Sequence, residues 1–122
     1  MFYRSSSKYG AKKTVNGFPS KLEAAVYEIL LLRQKNGELS DIKRQHTVTL
    51  QDGPRDVLIQ WRIDFSYIDT KTQQRCFCEA KGFSTDVYLL KLKLFRKNPQ
   101  GRLEIYKGTY KNPKLVEIIN AP

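Results

Sequence analysis

Asp64, followed fifteen residues later by Glu79-Ala80-Lys81, constrains this chain more than any other feature. Both parts sit in strand-like segments, residues 60–67 (QWRIDFSY) and 75–82 (RCFCEAKG). In a strand, residues i and i+2 share a face, so Glu79 and Lys81 project together while Ala80 points away. The polar residues 69–74 join the two segments into a hairpin. A hairpin that presents two carboxylates and an ammonium on one surface can hold a hard divalent cation and position a water.

The chain has 122 residues, enough for one domain with a modest core. The expected organisation is a basic N-terminal arm over residues 1–15 and a single domain over 16–122. One Trp, seven Tyr and six Phe, with 40% hydrophobic residues, argue for a folded protein. Lys and Arg number 22 against 12 Asp and Glu, a formal charge of +10, which points to a polyanionic partner. No apolar run approaches the length of a spanning helix, and the first residues lack an apolar signal core. Nucleic acid is therefore expected over a membrane surface, and a phosphodiester is the expected substrate. Cys76 and Cys78, at i and i+2, are poor disulfide partners and too few for structural zinc, so they read as reduced core thiols. That suits a cytoplasmic setting.

Ser20-X-X-Glu23 opens a helix with apolar residues at 22, 25, 26, 29, 30 and 32, stopped by Asn36-Gly37. Strands are expected over 44–51, 57–67 and 75–82, as an antiparallel meander. A second helix begins after Ser84 or Thr85, has apolar positions 87, 89, 90, 92, 94 and 95, and ends at Asn98-Pro99. A strand over 102–107 follows. Asn112-Pro113, read as cap and first helical residue, predicts a short last helix to Ile119. The fold class is α/β: an αβββαβ core with a mixed sheet flanked by helices.

Phosphodiester hydrolysis needs charge on the phosphorus oxygens offset, a water aligned and the leaving oxygen stabilised. One or two Mg²⁺ (or Mn²⁺) ions can serve all three. Asp64, Glu79 and the backbone carbonyl of Ala80 are the candidate metal ligands, and Lys81 would orient the water or neutralise developing charge. Glu23 is a candidate third carboxylate for a second metal. It equally fits a capping box with Ser20, and both readings stand. His46, the single histidine, is more readily structural than catalytic. Trp61 and Tyr67 share the face opposite Asp64 and are expected to fill the core. Candidate DNA contacts are Lys8, Lys12, Lys13, Lys21, Arg44, Gln45, Lys91, Lys93 and Lys97.

Asp, this spacer, then Glu-X-Lys, framed as αβββαβ, resembles the PD-(D/E)XK nuclease superfamily. Tyr9-Gly10-Ala11-Lys12, Phe18-Pro19-Ser20-Lys21-Leu22-Glu23, Ile63-Asp64-Phe65 and Glu79-Ala80-Lys81-Gly82 are similar to the phage endonuclease I type of Holliday-junction resolvase. Small phage proteins with Lys8-Tyr9-Gly10-Ala11-Lys12, the Ser-Lys-Leu-Glu helix start and a Lys-Leu-Lys-Leu-Phe-like second helix are also similar. Transposon-end nucleases of the superfamily share the helix Glu and a Gln comparable to Gln45. The resemblance spans about residues 8–107 and implies that Glu23, Asp64, Glu79 and Lys81 are catalytic. It implies a restriction-endonuclease-like fold and a Mg²⁺-dependent endodeoxyribonuclease for branched DNA such as a four-way junction. Such relatives are homodimers, and Leu31 and Leu32 are candidate dimer contacts. Ile63 stands where Pro is frequent, Ala80 stands where Thr or Val is common, and the resolvase's basic region beyond the last helix is missing. Nicking or transposon-end cleavage on the same fold, or non-catalytic nucleic-acid binding, are the rival expectations.

Overall fold

Lys21–Lys35 forms the first helix, α1. Ser20 caps it, its Oγ accepting the Glu23 N–H at 3.0 Å, and Arg33 and Lys35 suit its negative end. The computed structural model describes residues 17–51 and 58–120. Lys8, Lys12, Lys13 and the proposed arm 1–15 lie outside them. Strands β1 (Leu39–Gln51), β2 (Leu58–Asp69) and β3 (Arg75–Ala80) form the expected antiparallel meander. Helix α2 (Asp86–Lys97), capped by Thr85, then returns the chain so that β4 (Leu103–Thr109) runs parallel to β3. The result is a five-stranded mixed sheet, order β1-β2-β3-β4-β5. Among the described residues, no helix is long and apolar enough to cross a membrane.

The last element differs from the expectation. Asn112–Ile119 is a strand, β5, not a helix. It closes a hairpin on β4, with Thr109 opposite Asn112 and Leu103 opposite Ile119. Without β5, β4 would leave its outer N–H and C=O groups unpaired, and residues 115–119 (LVEII) are rich in strand formers. Pro113 sits on this edge strand, where a missing donor is tolerated.

The sheet is covered on both faces. Phe18, Leu22, Val26 and Leu30 pack from the α1 side against Phe65, Tyr67, Cys76, Cys78 and Tyr106. Tyr88, Leu92, Leu94 and Phe95 pack from α2 against Trp61, Ile63, Phe77, Leu103 and Ile105. Both cysteines are buried and free, as expected. Two expectations fail here. Trp61 and Tyr67 do fill the core, but they lie in opposite cores, not on one face. A regular strand would keep 61, 63, 65 and 67 together, so β2 changes faces between Ile63 and Phe65, at Asp64. Val87, Leu89 and Leu90, expected to face inward, are exposed, because 88, 92 and 95 carry the i, i+4, i+7 stripe that meets the sheet.

Helix α1 is pinned at both ends, and this fixes Glu23. At its C-terminal end Arg33 donates two bonds to buried Glu104, at 2.8 and 3.3 Å, and Glu104 also accepts from the Tyr67 hydroxyl at 2.6 Å. Before its first turn, Arg44 donates to the Gly17 carbonyl at 2.7 Å and covers the Phe18 ring at 3.7 Å.

The β4–β5 hairpin depends on Gly108. Its φ is +102°, and a Cβ there would meet the Asn112 carbonyl oxygen at 2.9 Å. Gly108→Ala should therefore destabilise the protein by about 1–3 kcal/mol, read as a lower urea midpoint at unchanged slope. An unchanged midpoint would contradict this account of the hairpin.

Candidate active site

The paired residues of β2 and β3 run from Ile68 opposite Arg75 to Phe65 opposite Cys78. Beyond that pair, side chains take over. Glu79 Oε1 accepts the Asp64 N–H at 3.1 Å, and Asp64 Oδ2 accepts the Ala80 N–H at 2.8 Å. The two carboxylates thus bond reciprocally to each other's strand. On the other side of β2, Gln45 lies between the residue pairs Arg44–Phe65 and His46–Ile63 and has a φ of +60°. A left-handed residue in a ladder bends it locally, which fits the change of faces at Asp64.

Glu23, Asp64, Glu79, Ala80 and Lys81 line one cleft of about 380 Å³. The whole predicted catalytic set is therefore brought together from α1, β2 and the end of β3. Glu23 and Glu79 are buried, at 6% and 4% exposure. Burial, then the charge of Asp64, pushes the Glu79 carboxyl well above the usual carboxylate range. Burial also raises Asp64, opposed by the Ala80 N–H and by Lys81. Glu23 is raised to about 7 by burial and by Asp64, against the pull of Arg44 and Lys81. Ser20 caps the helix backbone, and the Glu23 carboxyl lies in the field of Asp64 and Lys81. Three carboxylates sharing a poorly hydrated cleft repel one another, and protons or a cation relieve that repulsion. Among the described residues, no three His, Cys, Asp or Glu groups form a ready-made ligand cluster.

The Lys81 ammonium lies 4.9 Å from the centre of the Tyr88 ring, and its backbone N–H bonds the Tyr106 carbonyl at 2.9 Å. Tyr88 is a site-supporting residue absent from the sequence reading. Its hydroxyl is buried without a hydrogen-bond partner among the described residues, and burial and the Glu79 charge push its pKa up. Its place on the 88, 92, 95 stripe is the signal that could have found it.

The expected DNA contacts are spread out. Lys21, at the start of α1, has its ammonium 4.9 Å from the Tyr110 ring. Arg44 has one nitrogen committed to Gly17. Gln45 is exposed beside Asp64 along the β1–β2 ribbon. Lys91, Lys93 and Lys97 lie along α2 beyond the cleft, and Lys93 and Lys97 are exposed. His46 is held structurally: Nδ1 is 2.9 Å from Ser66 Oγ and the ring meets Phe77 edge-on, with burial lowering its pKa. Arg75 pairs with Asp41.

Glu23 binds its proton more tightly folded than unfolded. The stability this contributes is complete below about pH 4.5 and is lost as pH rises through about 7. In metal-free buffer, Glu23→Gln should flatten that part of the pH–stability profile. It should also leave the protein about 1–3 kcal/mol more stable than wild type at pH 8. A variant less stable at pH 8 would show that the buried charge is already compensated.

Neither the curated proteins nor the solved structures give a match to this chain. One family, described as "Protein of unknown function (DUF1064)", matches residues 6–122. The chain belongs to the DUF1064 family.

Proposed function

We propose that this protein is a divalent-metal-dependent DNA endonuclease of the PD-(D/E)XK type, acting on branched DNA. The observation that carries the reading is the convergence of Glu23, Asp64, Glu79 and Lys81 on one cleft of a chain with a formal charge of +10. The αβββαβ order and the reciprocal Asp64–Glu79 bonding support it.

The donor set fits Mg²⁺ or Mn²⁺. Carboxylate and carbonyl oxygens are hard ligands, and among the described residues the cations that lower these raised carboxyls are Lys81 and Arg44. Asp64, Glu79 and the Ala80 carbonyl would hold one ion, with Glu23 serving a second. A bound ion supplies Lewis-acid stabilisation of the phosphoryl oxygens and lowers the pKa of water.

The protein's own residues supply the rest. Asp64 and Glu79 fix each other through the facing backbone, so both oxygens are placed before substrate arrives. Lys81, held over Tyr88, offers an ammonium to the developing charge. Lys21, Arg44, Gln45, Lys91, Lys93 and Lys97 are the proposed contacts to the phosphate backbone, which makes binding steeply salt-dependent. Resolving a four-way junction takes two nicks on opposed strands, hence two sites, and a symmetric homodimer is proposed. Leu32, 59% exposed on α1, is its proposed contact, with the half-buried Leu31 beside it.

Purified protein should nick a synthetic four-way junction or flap in Mg²⁺ and do nothing in chelator. Glu79→Ala should lower the rate by about 10³-fold or more, the scale of losing a principal source of transition-state charge stabilisation. DNA binding by Glu79→Ala should be equal or tighter, because a carboxylate repels phosphate. Equal cleavage by wild type and Glu79→Ala, or none by either, would leave a basic nucleic-acid-binding module as the better reading.

A further inference from the structure

Between β3 and α2 an aromatic ring stands in solvent at the cleft. Phe83 is 78% exposed, more than any other large apolar side chain among the described residues. It lines the same cleft as Glu23, Asp64, Glu79 and Lys81. At neighbouring Gly82, no atom of the described residues beyond its chain neighbours lies within 4 Å of where a Cβ would stand, so that side of the backbone is open among them. On the following helix, Val87, Leu89 and Leu90 are exposed as well, at 62, 50 and 51%.

Cationic residues accompany these exposed apolar side chains. Lys81 lies two residues before Phe83, and the Lys107 ammonium reaches the hydroxyl of adjacent Ser84 at 3.2 Å. Helical spacing puts Lys91 one turn from Val87 and Lys93 one turn from Leu89. Protein interface cores are depleted of lysine, so this lysine-bearing surface is poorly suited to a protein partner. It matches a polynucleotide, whose phosphates meet ammonium groups while a base plane lies on the aromatic ring.

We propose that Phe83 is a stacking platform for an unpaired DNA base beside the scissile phosphate, and that it gives the cleft its preference for branched over intact DNA. The inference rests on the nuclease reading above. A base inside a continuous duplex is already paired and stacked, and it must be pulled free before it can lie on Phe83. At a flap or four-way junction that cost is already met. The ring therefore favours the branched substrate selectively, whereas the lysines favour any DNA.

The test compares kcat/KM in Mg²⁺ for wild type, Phe83→Ala and Phe83→Trp on a flap and on an intact duplex of the same sequence. Losing one base–aromatic stack corresponds to about 5- to 100-fold. Phe83→Ala should lose that factor on the flap and little on the duplex, and Phe83→Trp should restore it. A 2-aminopurine beside the cut site, bound in Ca²⁺, should be quenched by wild type and not by Phe83→Ala. An unchanged flap-to-duplex ratio in Phe83→Ala, or an equal loss on both substrates, overturns the stacking role while leaving the nuclease standing. Wild type that cleaves neither substrate overturns both.

Discussion

Two carboxylates, Glu79 buried and Asp64 half-buried, stand in for the ladder where β2 and β3 part company. Backbone N–H groups at that depth require partners. Glu79 satisfies Asp64, and Asp64 satisfies Ala80. The arrangement finishes the sheet and places both acidic groups with few degrees of freedom left to them. It also carries a cost, since neither group is well hydrated and each raises the other's affinity for a proton. A fold concerned only with stability would do better with a further ladder pair and an apolar side chain at each position. Such a costly placement is the physical ground on which the proposed metal chemistry rests.

The rest of the molecule serves this junction. Helix α1 is clamped by Arg33 on Glu104 at one end and by Arg44 over Phe18 at the other, so Glu23 is delivered to the cleft from a rigid element. The switch of β2 between two cores at Asp64 turns the acidic side chain out of the regular alternation and toward the end of β3. The Tyr88 ring, packed against Trp61 at 6.1 Å, ties Lys81 to the second core. Glu23 and Lys81 are therefore held from opposite sides of the sheet, one through α1 and the other through Tyr88.

Much of this was legible in the sequence because it depends on short-range rules. The strand period placed Glu79 and Lys81 together, the Ser20 and Thr85 caps marked both helix starts, and alternation located the three-stranded meander. What escaped depends on long-range context. Asn112-Pro113 carries a helix-start signal that yields to the unpaired edge of β4. Val87, Leu89 and Leu90 look like a buried helix face, yet the sheet accepts Tyr88, Leu92 and Phe95. The opposite placement of Trp61 and Tyr67 follows from a twist at Asp64 that no periodic pattern encodes. Arg44 reads as a free cation in the sequence, whereas its role as a clamp appears only once Gly17 and Phe18 are brought beside it.

The central claim is that Asp64 and Glu79 together form a seat for a divalent cation, and Mn²⁺ titration followed by electron paramagnetic resonance tests it most directly. Asp64→Asn and Glu79→Gln keep a carbonyl oxygen for the facing N–H group, so each variant should remain folded by circular dichroism. Saturable Mn²⁺ binding by the wild type, lost in both variants, is the predicted result. Wild type that leaves the free Mn²⁺ signal unchanged, or folded variants that bind as tightly as wild type, would contradict it.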